Sequence, residues 1–284
     1  MTAPPSSPAS KSASTSAPSP LATPEPWDLV ASGYVAENIR SFEAFASEAL
    51  RLVPADGDVL DVAAGPGSLS LLAARTARQV YAADFAPAML AQLRERAVAA
   101  GIANVQTEVA DGQALPYPDR RFDAAYSMFG LIFFPDRAAG LRELARVLRP
   151  GGRALVASWP PSDRIPVFKA LFAALKAELP ESKFGDGPTP LGTEGDMRAE
   201  LGAAGLSAIE VHEHVVAPGT GTPGEFWGSF SKGGAPAVLL RRRMGEDKFA
   251  EFSKRIVARL EAELGTAPFD IRLTALLGVG TRQA

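Results

Sequence analysis

The chain has 284 residues, of which 46% are hydrophobic, and its formal net charge at pH 7 is −3. This composition is typical of a globular chain with a sizeable core, and the small negative charge disfavours nucleic acid, which is bound by basic surfaces. The sequence contains no cysteine and two histidines, which excludes thiolate metal centres and iron–sulfur clusters. It predicts a protein that works without a metal, with magnesium held by carboxylates as the alternative.

Residues 1–26 consist almost entirely of Ala, Pro, Ser and Thr. Such a segment cannot bury enough apolar surface to offset the entropy of ordering, so we expect a disordered tail. It lacks the apolar core of a secretion signal, and no apolar run in the chain approaches the ~18 residues that span a bilayer. We therefore expect a cytoplasmic protein without membrane contact, either a monomer or a homodimer.

The following residues alternate between helix and strand patterns. Apolar residues at helical spacing predict a first helix over 33–53. Strands are then predicted at 58–62, 79–83, 105–109, 122–127 and 153–158, with helices between them at 68–76, 87–101 and 137–148. This alternation is typical of a parallel sheet with helices on both faces.

Beyond residue 159 the pattern is looser. Helices are predicted at 165–179, 194–204 and 246–264, and strands at 207–216 and 271–280. Residues 217–266 between these two strands predict a helical insertion. If the strand at 207–216 runs parallel to the first strand, the insertion leaves the sheet at its ligand-binding edge, where it would act as a lid or substrate wall.

The most informative segment is the loop from Asp61 to Gly67, which ends an apolar run. A second apolar run ends in Asp84, 19 residues after Gly65. Glycines let backbone amides approach a ligand, and a carboxylate accepts hydrogen bonds from ribose hydroxyls. Ser70 stands where a dinucleotide-binding loop has its third glycine, and Pro66 lacks an amide donor. The loop therefore predicts a nucleoside ligand without a pyrophosphate.

Several motifs in register resemble the class I S-adenosylmethionine-dependent methyltransferases, in the group that includes the ubiquinone and menaquinone biosynthesis methyltransferases. They are the Asp61–Gly67 loop, Asp84, the run from Asp111 to Pro116, and the segments 122–128 and 148–152. The resemblance covers about residues 27–160. It implies an α/β, Rossmann-like seven-stranded sheet, mostly parallel with an antiparallel last strand, in a domain over 27–284. It also implies that S-adenosylmethionine is the cofactor and that a methyl group moves to oxygen, nitrogen or carbon of a small molecule.

The resemblance and the position of the strand ends together assign cofactor-binding roles. Asp61 would hold the methionine part of the cofactor, Asp84 the ribose and Asp111 the adenine amino group. Phe85 and Met89 follow where an adenine ring needs apolar walls, and they equally suit the buried face of any amphipathic helix. Tyr34 equally suits an aromatic anchor of its helix. Asp111-Gly112 is also a common turn sequence, although the adenine role is favoured. The candidate cofactor-binding residues are Tyr34, Asp61, Ala63, Gly65, Gly67, Asp84, Phe85, Met89, Asp111, Gly112, Gln113, Ser127 and Met128.

Aromatic residues after these motifs predict a pocket for an apolar or aromatic acceptor, although packing in the core is the alternative for each. His214 is the candidate base, but its strand position favours a solvated residue, and methyl transfer by proximity needs no base. The other functions to weigh are an NAD-type Rossmann oxidoreductase, which the missing third glycine disfavours, and a non-catalytic cofactor-binding module. The candidate acceptor residues are Phe129, Phe133, Trp159, Phe226, Trp227 and Phe230.

Overall fold

The computed structural model describes residues 19–181 and 187–283. Within these residues one sheet is built from β1 Asp58–Val62, β2 Gln79–Asp84, β3 Val105–Val109, β4 Phe122–Met128, β5 Leu148–Ser158, β6 Leu206–Gly221 and β7 Phe269–Arg282. The strand order is β3-β2-β1-β4-β5-β7-β6. The first five strands are mutually parallel, and β7 is antiparallel to both β5 and β6. The predicted mostly parallel α/β sheet with an antiparallel last strand is confirmed.

The described helices are α1 Pro24–Leu52, α2 Ser70–Ala73, α3 Pro87–Ala99, α4 Arg137–Arg146, α5 Pro166–Glu178, α6 Glu194–Ala203, α7 Pro223–Gly233, α8 Ala235–Met244 and α9 Glu246–Leu264. Helices cover both faces of the sheet. On one face Phe45 of α1 packs with Tyr126 and Leu155, and on the other Leu144 of α4 packs with Leu60. The apolar runs of the strands follow from this double coverage, because side chains on both faces are buried.

The first helix begins earlier than the sequence predicts. A 3₁₀ turn at Pro20–Ala22 leads into α1 at Pro24, so residues 20–22 and 24–26 of the predicted disordered tail are helical. Residues 1–18 lie outside the described residues. Trp27 explains the difference, because its Nε1 donates to Leu21 O at 2.9 Å and its ring lies 4.9 Å from that of Phe133. These contacts supply burial that the composition of the tail alone does not show.

The helical insertion between β6 and β7 comprises α7, α8 and α9. Because β7 is antiparallel to both neighbours, β6 runs parallel to β1, and the insertion leaves and rejoins the sheet at the carboxyl edge of the parallel strands. Together with α5 it forms a second core around Trp227, Phe252 and Ile256. Among the described residues, no helix is long and apolar enough to cross a membrane.

Candidate functional site

The glycine loop after β1 has a backbone shape that few residue types accept. Ala63, Gly65 and Gly67 have φ values of 56°, 54° and 83°, the left-handed region that glycine adopts without strain. A Cβ on Gly67 would lie 2.7 Å from Leu93 Cγ, whereas a Cβ on Gly65 would meet no atom within 4 Å. The loop is therefore packed tightly against α3 at Gly67 and is open for a ligand at Gly65.

Asp84, the predicted ribose acceptor, also fastens this loop. Its Oδ2 accepts from Gly65 N at 2.8 Å and its Oδ1 accepts from Ala86 N at 2.9 Å. Burial raises the pKa of Asp84 to about 6, against the effect of these two amide bonds. Each carboxylate oxygen has a second lone pair, so the side chain can hold the loop and still accept from a ligand.

Two buried oxygens near the strand ends have no partner among the described residues: Asp61 Oδ1 and Ser127 Oγ. Asp61 is 1% exposed, and its other oxygen accepts from Ser70 Oγ at 2.6 Å. Burial raises the pKa of Asp61 to about 7. Buried polar atoms are almost always paired. Asp61 lines a cavity beside the glycine loop, so its unpartnered oxygen indicates where a ligand supplies a donor. Ser127 directly precedes Met128 of the same lining but is not itself part of it.

The cavity beside Asp61 has a volume of about 30 Å³. The glycine loop and Met128 form part of its lining, and α1 contributes Tyr34 and Phe42, whose rings stack with centroids 5.3 Å apart. Burial, together with the charge of Asp84, raises the pKa of Tyr34. The structure therefore brings Tyr34, Asp61 and Met128 together, with α1 closed over the loop.

Asp28 on α1 is a site residue that the sequence reasoning missed. Its Oδ1 accepts from Ala88 N at 2.8 Å, in the first turn of α3, and its charge contributes to the raised pKa of Asp84. The available signal was Ala86, which occupies the N-cap position of α3 and has no side-chain acceptor. A helix start without a capping residue suggests an acceptor from elsewhere in the chain.

Phe85 and Met89, the predicted apolar walls for adenine, lie beneath α1. Met89 is 2% exposed and packs with Val30 and Ala31, and Phe85 is half-buried against the same cluster. Their packing against α1 accounts for their burial without a ligand, as expected for the buried face of any amphipathic helix. A contact with adenine stays a prediction.

The loop after β3 lies next to Asp84, because Ala110 N donates to Asp84 O at 3.0 Å. Asp111 is exposed, and its Oδ1 accepts from Gln113 N at 2.9 Å, which closes the turn that was the alternative interpretation. Gln113 Oε1 in turn accepts from Asp136 N at 2.8 Å. At Gly112 a Cβ would lie 2.5 Å from the Phe134 ring, so this position is reserved for glycine. Binding of adenine by Asp111 stays a prediction.

Four aromatic side chains form an aromatic wall at the ends of β4 and β5: Phe42, Phe45, Phe129 and Trp159. Phe129 and Trp159 stack with centroids 4.2 Å apart, and Phe42 and Phe45 meet Phe129 edge-on at 5.2 and 5.3 Å. The His214 ring lies 6.1 Å from that of Phe45. The structure thus brings His214, Phe129 and Trp159 close together. It adds Phe42 and Phe45 of α1, whose spacing in the sequence predicts only a helix.

The other predicted acceptor residues lie elsewhere. Trp227 is 3% exposed, and its ring lies 6.1 Å from that of Phe249 and 6.0 Å from that of Phe252, both on α9. Phe226 and Phe230 belong to the same cluster, and Phe133 packs on Trp27. The structure thus places Trp227 in the core of the insertion, which was the alternative, and its role in an acceptor pocket stays a prediction.

No group of three or more His, Cys, Asp or Glu side chains in the described part of the chain is arranged to hold a metal ion. His212, the second histidine, lies 3.2 Å from Glu210 Oε2. That the protein requires no metal stays a prediction, which activity measurements in a chelator would test.

Comparison with known proteins agrees with this geometry. Residues 59–152 match the sequence model of a family described as a methyltransferase domain. These residues of the chain therefore form a methyltransferase domain. The match supports the class I S-adenosylmethionine-dependent type that the sequence motifs predicted.

Two curated relatives match this region. An uncharacterized protein of Mycobacterium tuberculosis is 46% identical over 101 residues, which is 36% of this chain and 36% of that protein. A demethylmenaquinone methyltransferase of Thermus thermophilus is 46% identical over 117 residues, 40% of this chain and 53% of that protein. The matches thus span between about a third and a half of the relatives' length.

Among solved structures, the YcgJ protein from Bacillus subtilis is similar with a TM-score of 0.58 and 20% identity. The alignment covers 86% of this chain and 98% of that one. At this identity the likeness shows the fold, which extends the agreement beyond the matched domain to most of the chain.

Proposed function

We propose that this protein transfers a methyl group from S-adenosylmethionine to a small apolar or aromatic molecule. The observation that carries the proposal is the pair of unpartnered oxygens, Asp61 Oδ1 and Ser127 Oγ, beside the glycine loop. A buried polar atom without a partner costs about 1–3 kcal/mol. Both oxygens are acceptors, and the ammonium and hydroxyl groups of the cofactor are donors.

The residues at the strand ends fit the parts of this cofactor. Asp61, whose second oxygen is free, would hold the ammonium group, and Asp84 would accept from the ribose hydroxyls through its remaining lone pairs. Gly65 offers an open backbone surface. Asp111 would accept from the adenine amino group.

The cofactor supplies a methyl group on a positively charged sulfur, which is already a strong electrophile. What remains for the protein is to hold the acceptor in line and to exclude water. Within the aromatic wall Phe42 and Trp159 are half-buried, whereas Phe45 and Phe129 are buried. Aromatic rings at such a position attract a cation and bind planar apolar molecules. His214 would take the proton from an acceptor that must lose it early; other acceptors need no base.

The acceptor class follows from the wall and from one relative. Rings favour a planar, largely apolar molecule, and the Thermus thermophilus relative is named for demethylmenaquinone. Hydroxylated aromatic and quinol compounds are therefore the first acceptors to test, with a mass increase of one methyl group as the readout. An NAD-type oxidoreductase would instead bind NAD more tightly than S-adenosylhomocysteine in calorimetry, and that result would refute the proposal.

A substitution pair tests the observation that carries the proposal. Ser127→Ala removes an unpartnered buried hydroxyl, so it should leave the melting temperature unchanged or raise it, while weakening binding of S-adenosylhomocysteine. Ser158→Ala is the matched control, since Ser158 is also fully buried at a strand end but donates to Pro190 O at 2.7 Å. The control should lower the melting temperature and leave the dissociation constant unchanged. Unaltered cofactor binding in Ser127→Ala would mean that its hydroxyl faces no ligand.

A further inference from the structure

One side chain of α3 bonds to both the glycine loop and α1. Arg96 Nη1 donates to Pro66 O at 2.5 Å, and Arg96 Nη2 donates to Glu43 Oε1 at 2.6 Å. The Arg96 side chain is 21% exposed and that of Glu43 36%, so the ion pair is partly shielded from water. The guanidinium therefore links the loop to the helix that closes over it.

The bond to Pro66 matters because of where this carbonyl lies. Pro66 stands between Gly65 and Gly67, which both have left-handed backbones, and glycine has wide conformational freedom. Asp84 fastens the Gly65 amide from β2, and Arg96 fastens the Pro66 carbonyl from α3. The loop is thus held from two sides, and the orientation of its open surface depends on both bonds.

The bond to Glu43 reaches the part of α1 that covers the site. Glu43 directly follows Phe42, which lines the cavity beside Asp61 and belongs to the aromatic wall. A shift of Glu43 therefore moves Phe42 with it. Through Arg96, the seating of this turn of α1 is tied to the position of the Pro66 carbonyl.

We propose that Arg96 is a positioning residue that couples the shape of the glycine loop to the seating of α1, so that cofactor binding and closure of α1 stabilise each other. The inference rests on the proposed function in one respect, the identity of the ligand. Arginine suits this role because its planar fork bonds to two acceptors in fixed directions, whereas a lysine ammonium is a point charge.

Arg96→Lys tests the coupling while keeping the charge. The expected result is at least a fivefold rise in the dissociation constant of S-adenosylhomocysteine, with little change in melting temperature. Arg94→Lys is the matched control, because Arg94 lies on the same helix but is exposed and bonds to Thr107 Oγ1 at 3.1 Å. It should leave binding unchanged. A lower melting temperature of Arg96→Lys with an unchanged dissociation constant would show a merely structural tether and overturn the inference.

A double-mutant cycle separates coupling from two independent contacts. In the protein that keeps Arg96, Glu43→Ala should weaken cofactor binding at least threefold. In the Arg96→Lys background it should have no further effect, because the link between Glu43 and the Pro66 carbonyl is already broken there. Additive effects of the two substitutions would contradict a bridge.

Hydrogen exchange of the ligand-free protein gives a readout that does not depend on the proposed function. Glu43→Ala should speed exchange not only in α1 but also in the amides of Ala64, Gly65 and Gly67. Arg96→Lys should do the same, and Arg94→Lys should do neither. If Glu43→Ala affects α1 alone, the coupling is refuted. If the unchanged protein binds no S-adenosylhomocysteine, the proposed function fails, while the exchange comparison still decides the role of Arg96.

Discussion

Asp84→Ala should weaken cofactor binding much more than it weakens the fold. The substitution leaves the Gly65 and Ala86 amides without their acceptor, at about 1–3 kcal/mol each. It also removes a buried charge. The pKa of Asp84 is raised from 3.8 to about 6, so at neutral pH ionisation of Asp84 disfavours the folded state by about 3 kcal/mol. Because these effects oppose each other, the net loss of stability should not exceed about 3 kcal/mol.

The effect on binding has no such compensation. A hydrogen bond to a charged group is worth about 1.5–3 kcal/mol, and Asp84 offers one remaining lone pair on each oxygen for two ribose hydroxyls. Losing both bonds should raise the dissociation constant of S-adenosylhomocysteine by about 10²- to 10⁴-fold, at about 1.4 kcal/mol per tenfold change. Titration calorimetry measures the affinity, and thermal unfolding measures the stability of the same preparation.

The control is another aspartate on a neighbouring strand. Asp58, at the amino end of β1, pairs with Arg78 at 2.8 Å, on the edge of the sheet opposite the glycine loop. Asp58→Ala should therefore leave cofactor affinity unchanged. If Asp84→Ala lowered the melting temperature but bound S-adenosylhomocysteine as tightly as the unchanged protein, Asp84 would be only a fastener of the loop and the ribose assignment would be refuted.

Three further predictions concern pH, packing and metals. Asp61 is protonated below its raised pKa of about 7, so affinity for the cofactor ammonium should increase as the pH rises from about 5.5 and level off above about 7. In Asp61→Asn, titrations at several pH values should show a shallower rise centred near pH 6, where Asp84 still titrates. Trp227→Ala should destabilise the protein by about 3–5 kcal/mol and change the KM values of cofactor and acceptor alike. Trp159→Ala should mainly raise the KM of the acceptor. A selective effect of Trp227→Ala on the KM of the acceptor would instead support its predicted role in the pocket. Activity should persist in a chelator, and a loss reversed by magnesium would contradict metal independence.

The strands were predictable because each one carries a local signal. β1 and β3 have the predicted bounds, and their parallel arrangement follows from helices between apolar runs. α2 is shorter than predicted, Ser70–Ala73 instead of 68–76. The tight contact of Gly67 with Leu93 places the start of this helix, and such a contact depends on a residue far along the chain.

The acceptor residues were less predictable, since an amphipathic helix shows its apolar face but not the partner of that face. α7 carries Phe226, Trp227 and Phe230, which suit a pocket wall and a helix–helix contact equally well. α9 offers Phe249 and Phe252 on its own apolar stripe, and the two helices are only a short distance apart in sequence. Packing of α7 against α9 buries the apolar faces of both helices. The aromatic wall beside Phe129 and Trp159 is therefore formed with Phe42 and Phe45 of α1.

The polar site residues show a related limit of sequence reasoning. Asp84 was assigned to a ligand because of its position after a strand, yet both its oxygens accept from backbone amides of the protein. Asp28 and Arg96 extend the same arrangement, one from α1 to α3 and the other from α3 to the glycine loop and α1. A buried carboxylate needs such partners to stay ionised before any ligand arrives. Residues that bind a ligand at a strand end must therefore also build the loop that receives it, and a substitution at any of them changes affinity and loop shape together.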